Sequence, residues 1–126
     1  MLQLRRIPGG VAADAIGALL SRKPTAVLGL ATGSSPLAIY DELAARCAAA
    51  QISFQQARGF TLDEYVGLPA DHPHRYRNVI DNVFVTRVDF APGAVQGPDG
   101  LAADIPAACA AFENAIRAAG GVDLQI

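Results

Sequence analysis

Tryptophan is absent from the 126-residue chain, methionine occurs once and cysteine twice. Aromatic residues make up only 6%, whereas 25 residues are alanine. So few large side chains predict closely packed helices over a thin core. A domain of this length buries only about two thirds of its unfolded surface. An excess of charge is also missing: 10 basic residues face 12 acidic ones, a net charge of −2 with both histidines neutral. Duplex nucleic acid calls for clustered Lys and Arg and an anionic membrane surface for a polybasic segment, so neither partner is expected. No apolar run approaches the ~18 residues of a membrane span. Met1–Pro8 carries Arg5 and Arg6, but no apolar stretch follows, so no secretory signal is read there. Cys47 and Cys109 lie far apart in alanine-rich surroundings. They read as two buried free thiols of a protein kept in the reducing cytoplasm. The chain does have 52% apolar and 17% charged residues, the balance of one folded domain rather than a disordered chain.

The hydrophobic spacing alternates between helix and strand. Val11, Ala15, Leu19 and Leu20 predict a first helix, broken by Pro24. Ala26–Leu30 is an apolar run of strand length, expected to be buried on both faces. After the polar turn Thr32–Ser35, a helix is predicted from Pro36 to about Ala50. Ser35 would be its N-cap and Pro36 its first residue, with Leu37, Tyr40, Ala44 and Cys47 on one face. Arg58–Leu62 reads as a second strand. Helical spacing returns over about His74–Val85, with Tyr76, Val79, Ile80, Val83 and Phe84 in phase. A short strand is placed at Ala94–Gln96. A fourth helix, Asp104–Ala119, would turn Ile105, Cys109, Phe112 and Ile116 inward and end at Gly120-Gly121. Val122–Ile126 starts another strand, so the chain stops inside what reads as a buried element; an exposed apolar edge and a cut chain are the expectation. The alternation implies an α/β fold with a parallel sheet and right-handed crossovers.

Two segments could carry chemistry. Thr32-Gly33-Ser34-Ser35-Pro36 lies between a strand and a helix N-terminus, where free N–H groups and the positive end of the helix dipole favour an anion. Gly33 lets a ligand approach the backbone, and the hydroxyls add donors. No Lys follows the glycine and no G-x-G-x-x-G is present, so a small monophosphate suits the turn better than a nucleotide. The competing reading is that Ser35 simply caps a helix. Asp63-Glu64 ends the second strand, and ligands of open α/β sheets bind outside the carboxyl ends of strands. A carboxylate there can shuttle a proton, or it can bond its own loop. His72-Pro73-His74 lacks the further His or Cys of a metal site and reads as loop with a capping role. Tyr76 reads as a core residue of its helix, with a hydroxyl that needs a partner if buried. Arg75 and Arg77 read as solvated.

Leu28–Pro36 (LGLATGSSP) with Tyr40 and Leu43, followed by Leu62–Leu68 (LDEYVGL), His72-Pro73 and Tyr76-Arg77-Asn78, resembles the two signatures of the glucosamine-6-phosphate deaminase (isomerase) family, in order and spacing. The resemblance covers nearly the whole chain but only about the first half of a family member. It implies a three-layer, open, mainly parallel sheet with helices on both faces, Rossmann-like and truncated at the C-terminus. It implies conversion of glucosamine 6-phosphate and water to fructose 6-phosphate and ammonia, in amino-sugar catabolism, without metal or organic cofactor. Asp63 would move a proton between C2 and C1 of the opened sugar. Thr32, Gly33, Ser34 and Ser35 would hold the phosphate or nearby sugar oxygens, with Glu64 and Tyr76 close by as support or lid. The partner implied is a sugar phosphate, the compartment the cytoplasm; homo-oligomers occur in the family. The family's later glycine-rich loop, with its ring-opening His and phosphate-clamping basic residues, has no counterpart here. No deamination by these 126 residues alone is therefore expected. A related phosphogluconolactonase, similar at the glycine-serine turn, and a non-catalytic sugar-phosphate binding domain are the alternatives.

Overall fold

A computed structural model describes residues 9–126; Met1–Pro8, read above for a secretory signal, lies outside them. Helix α1 (Gly10–Arg22) leads to strand β1 (Val27–Leu30), helix α2 (Leu37–Ala48) and strand β2 (Arg58–Thr61). Helix α3 (Tyr76–Val83) runs into a short 3-10 turn at Val85–Arg87. Strand β3 (Val95–Gln96), helix α4 (Ile105–Ala118) and strand β4 (Leu124–Gln125) complete the order. The four strands form one parallel sheet in the order β3-β2-β1-β4, the α/β architecture the alternating sequence implies.

Strand periodicity divides the helices between the faces. Leu28 and Leu30 point one way, into a core with Ala13, Ile16, Leu20, Tyr40, Leu43 and Ile80 from α1, α2 and α3, and Phe84 just beyond α3. Phe60, which pairs with Gly29, points the other way and meets Phe112 of α4 edge-on at 5.8 Å. All four residues of β1 are buried, as expected of a central parallel strand. Half of the few aromatics gather in one place: Phe84 stacks on Tyr40 at 4.7 Å and meets Phe54 and Phe90 edge-on at 5.4 and 5.8 Å. The thin alanine core is thus thickened beneath the sheet by a knot of rings.

Several local expectations are corrected. In α1 the core face is Ala13, Ile16 and Leu20, and Val11 is 59% exposed. An alanine-rich helix offers two nearly equivalent stripes, and docking against the sheet chooses between them. Helix α2 starts at Leu37, with Pro36 in the cap position and no side-chain bond from Ser35; Leu37 is 40% exposed. It ends at Ala48 in a Schellman motif, where Gln51 N–H donates to Arg46 O and Ala50 N–H to Cys47 O. Helix α3 is shorter than predicted, because the His72–Arg75 segment is used as a turn, with bonds from His72 N to Pro69 O and Arg75 N to His72 O.

On α4 no residue is fully buried and Cys109 is exposed, so one of the two thiols is not buried as expected. Cys47 is half-buried, its thiol donating to Asp89 at 3.2 Å. Strand β4 lies at an edge of the described sheet, in line with the exposed apolar edge expected there. Val122 is 40% exposed, and Leu124 and Ile126 are partly buried against the core. Asp123 fixes its register: its carboxylate accepts Val27 N–H at 2.8 Å and pairs with Lys23 at 3.0 Å.

Candidate functional site

Leu30 pairs with Thr61 across β1 and β2. The bend after β1 and the acids after β2 therefore leave the sheet side by side, at the same carboxyl rim. This is the rim at which open α/β sheets take ligands.

At the first of these exits, Gly33 adopts φ +104°, a left-handed conformation, and beyond its chain neighbours nothing among the described residues lies within 4 Å of where a Cβ would stand. A side chain there is excluded by the backbone, not by crowding. Gly33, Ser34 and Ser35 are exposed and Thr32 half-exposed. Within the bend, Leu37 N–H donates to Ser34 O at 3.3 Å. Among the described residues no protein acceptor takes the amides of Gly33, Ser34 or Ser35. Three consecutive N–H groups without a protein acceptor among the described residues, ahead of a twelve-residue helix, form a donor set suited to an anion.

The second exit separates two adjacent acids. Asp63 is exposed, and no protein donor among the described residues bonds its carboxylate. Glu64 turns inward, with its side chain only 3% exposed. Its carboxylate accepts the N–H groups of Tyr65 at 2.9 Å, Tyr76 at 2.9 Å and Arg77 at 3.0 Å, and Arg75 Nε lies 3.7 Å away. The first-turn amides of α3 are thus capped by a residue twelve positions upstream. Glu64 is accordingly a support of the loop rather than a group presented to a ligand.

The same loop is tied elsewhere. Asn78 Nδ2 donates to Ala70 O at 2.8 Å and His72 O at 2.9 Å. His72 Nδ1 accepts His74 N–H at 3.0 Å within the turn, but Arg75 holds the N-cap position of α3 and neither histidine caps the helix, so the capping role expected of this segment is not what the fold uses. Gly67 N–H donates to Gly100 O at 2.9 Å, which joins the loops after β2 and β3. No group of three or more His, Cys, Asp or Glu suited to a metal occurs among the described residues.

Tyr76 sits half-buried at the start of α3 rather than in the core. Its ring packs on Tyr65 with centroids 4.7 Å apart, and its hydroxyl donates to the Tyr65 hydroxyl at 3.3 Å. That bond, with the negative charges of Asp63 and Glu64 nearby, holds the Tyr76 phenol above its ordinary pKa. Bend, Asp63 and tyrosine pair together offer anion donors, a free carboxylate and an aromatic wall. Sequence reasoning did not single out Gly100, and it read Asn78 only as part of the second signature, without a role. Gly100 carries no signal beyond a glycine in a loop, while the Asn78 side chain acts on carbonyls six and eight residues away.

No family model matches the chain. It is 81% identical over 118 residues to a glucosamine-6-phosphate deaminase of Mycolicibacterium smegmatis, covering 94% of this chain and 45% of that protein. A glucosamine-6-phosphate deaminase of Beutenbergia cavernae is 73% identical over 114 residues, 90% of this chain and 44% of the relative. The chain thus spans somewhat less than half the length of these relatives. Among solved structures, a monomeric glucosamine-6-phosphate deaminase superposes with TM-score 0.89 at 32% identity, over 98% of this chain and 52% of the other. A 6-phosphogluconolactonase of Thermotoga maritima superposes with TM-score 0.77 at 26% identity, over 97% and 56%.

Proposed function

We propose that this chain, a member of the glucosamine-6-phosphate deaminase family spanning about 45% of its relatives' length, supplies the phosphate-binding and proton-transfer part of such an enzyme. It forms part of one sugar-phosphate deaminase/isomerase domain. The reaction is conversion of glucosamine 6-phosphate and water to fructose 6-phosphate and ammonia, in the cytoplasm. The observation that carries the reading is the Leu30–Thr61 pairing, which brings the Gly33 bend and Asp63 to one rim of the sheet.

The phosphate sits against the amides of Gly33, Ser34 and Ser35, with the hydroxyls of Thr32, Ser34 and Ser35 as further donors. The opened sugar then extends toward the end of β2. Asp63, free of donors from the described residues, takes the proton from C2 and returns it to C1. The nitrogen at C2 becomes an imine, and water replaces it with release of ammonia. Glu64 holds the loop, and Tyr76 with Tyr65 lines the site. No residue of this chain is assigned to ring opening, so the 126 residues alone are not expected to turn over.

The test uses the full-length protein. Ammonia release from glucosamine 6-phosphate, abolished in Asp63→Asn, is the expected result. Hydrolysis of 6-phosphogluconolactone without ammonia would assign the rim to the lactonase reaction instead. Binding of glucosamine 6-phosphate with neither reaction would make it a non-catalytic sugar-phosphate module.

A further inference from the structure

Tyr40 stands one turn into α2 with its side chain fully buried. Its ring stacks on Phe84 at 4.7 Å with an interplanar angle of 20°. The hydroxyl turns away from the rings to Ala31, the first residue beyond β1. It donates to Ala31 O at 2.7 Å and accepts Ala31 N–H at 3.0 Å. Only a neutral phenol does both, and burial pushes the Tyr40 pKa up to about 12, so the arrangement persists across the neutral range. Among the described residues, the side-chain hydrogen bonds made to residues 31–35 both come from Tyr40. The next residues, Thr32 and Gly33, have no such tether among the described residues, and beyond its chain neighbours nothing among them lies within 4 Å of where a Gly33 Cβ would stand.

We propose that Tyr40 is a positioning residue for the anion-binding bend: its hydroxyl grips both backbone groups of Ala31 and so aims the Gly33–Ser35 amides at a phosphate. The inference rests on the phosphate reading of the bend given above. The ring accounts for the apolar packing, which phenylalanine would reproduce. The hydroxyl accounts for the direction in which the chain leaves β1. Because the helix that carries Tyr40 is the one whose N-terminus faces the anion, one side chain links strand end, bend and helix into a rigid loop.

The test is Tyr40→Phe in the full-length protein, with ammonia release, inhibition by inorganic phosphate and thermal unfolding all measured. Tyr40→Phe should raise KM for glucosamine 6-phosphate and Ki for inorganic phosphate together by about tenfold, the scale of a lost hydrogen bond, with kcat changed by less than about threefold. Ile16→Val, a core change in α1, lowers Tm without altering either constant. Unchanged KM and Ki in Tyr40→Phe would overturn the proposal, as would equal shifts in Ile16→Val. If the wild type releases no ammonia, the deaminase reading fails. Calorimetric titration with inorganic phosphate then still compares wild type with Tyr40→Phe: weaker binding in the variant sustains the positioning role and equal binding overturns it. A wild type that binds no phosphate overturns both.

Discussion

The carboxylate of Glu64 accepts the backbone N–H of Tyr76 at 2.9 Å and that of Arg77 at 3.0 Å, and so begins α3 from the far end of a loop. Its neighbour Asp63 is left free at the rim. Adjacent acids of the same charge have been given opposite tasks by burial alone. Removing the Glu64 carboxylate orphans amides at the helix start, so Glu64→Ala should cost about 2–4 kcal/mol, as for a buried charged hydrogen-bonding group. Chemical denaturation measures this. Glu64→Gln should recover only part of the loss, because its amide nitrogen faces an N–H.

Asp63 should behave in the opposite way. An exposed carboxylate that takes no donor from the described residues contributes little to folding, so Asp63→Asn should change stability by less than about 0.5 kcal/mol. Ammonia release by the full-length protein should meanwhile disappear. A large loss of stability in this variant would show that Asp63, too, is structural.

Gly100 is buried, and a Cβ built on it would lie 2.0 Å from the Tyr65 carbonyl oxygen. The obstacle is backbone, so it cannot swing aside. Gly100→Ala should cost about 1–3 kcal/mol and displace the loop that presents Asp63. Activity should therefore fall more steeply than Tm, and comparing the two readouts checks it.

Helices α2 and α4 end in the same Schellman motif with different residues at the left-handed position. Gly120 occupies it at φ +93° after α4, and Ala50 at φ +59° after α2. A Cβ in that conformation costs roughly 1 kcal/mol. Ala50→Gly should raise stability by up to about 0.5 kcal/mol, after the entropy that glycine adds to the unfolded chain. A higher denaturation midpoint with an unchanged slope is the expected observation.

Asp89 ties the entry to β2 to the chain beyond α3. Burial opposes its ionisation, but donation from the Ser53 hydroxyl, the Phe54 amide and the Cys47 thiol outweighs it, so the carboxyl titrates below its ordinary value. The unfolded chain therefore takes the proton first. The stabilisation is complete above the ordinary carboxylate pKa of about 3.9 and is lost as pH falls through the lower folded value. Asp89→Asn should be less stable at neutral pH. Its unfolding curve should converge with the wild type's in acid, which denaturation at pH 7 and below pH 4 compares.

Part of this molecule was legible from local pattern. Ala26–Leu30 reads as a central strand because a run apolar at every position suits only an element covered on both faces. Gly120-Gly121 reads as a helix stop because the left-handed turn asks for residues without a Cβ. The two motifs were visible as strings, and their places at strand ends followed from the alternation of elements. The choice of Ile16 over Val11 in α1 was not legible, since alanine blurs the stripe that periodicity needs. Nor was the exposure of Cys109, because inward spacing on α4 says nothing of how deeply the sheet receives it.

The sequence by itself determined the element order, the parallel sheet and the two segments at its carboxyl rim, because these follow from residue spacing and backbone conformation. Only the tertiary structure decided what each polar group does there. It buried Glu64 against amides twelve residues away and drew the Tyr40 hydroxyl back to Ala31. It left Asp63 outside, because hydrogen-bond partners across a fold are set by distance in space and not by position in the chain.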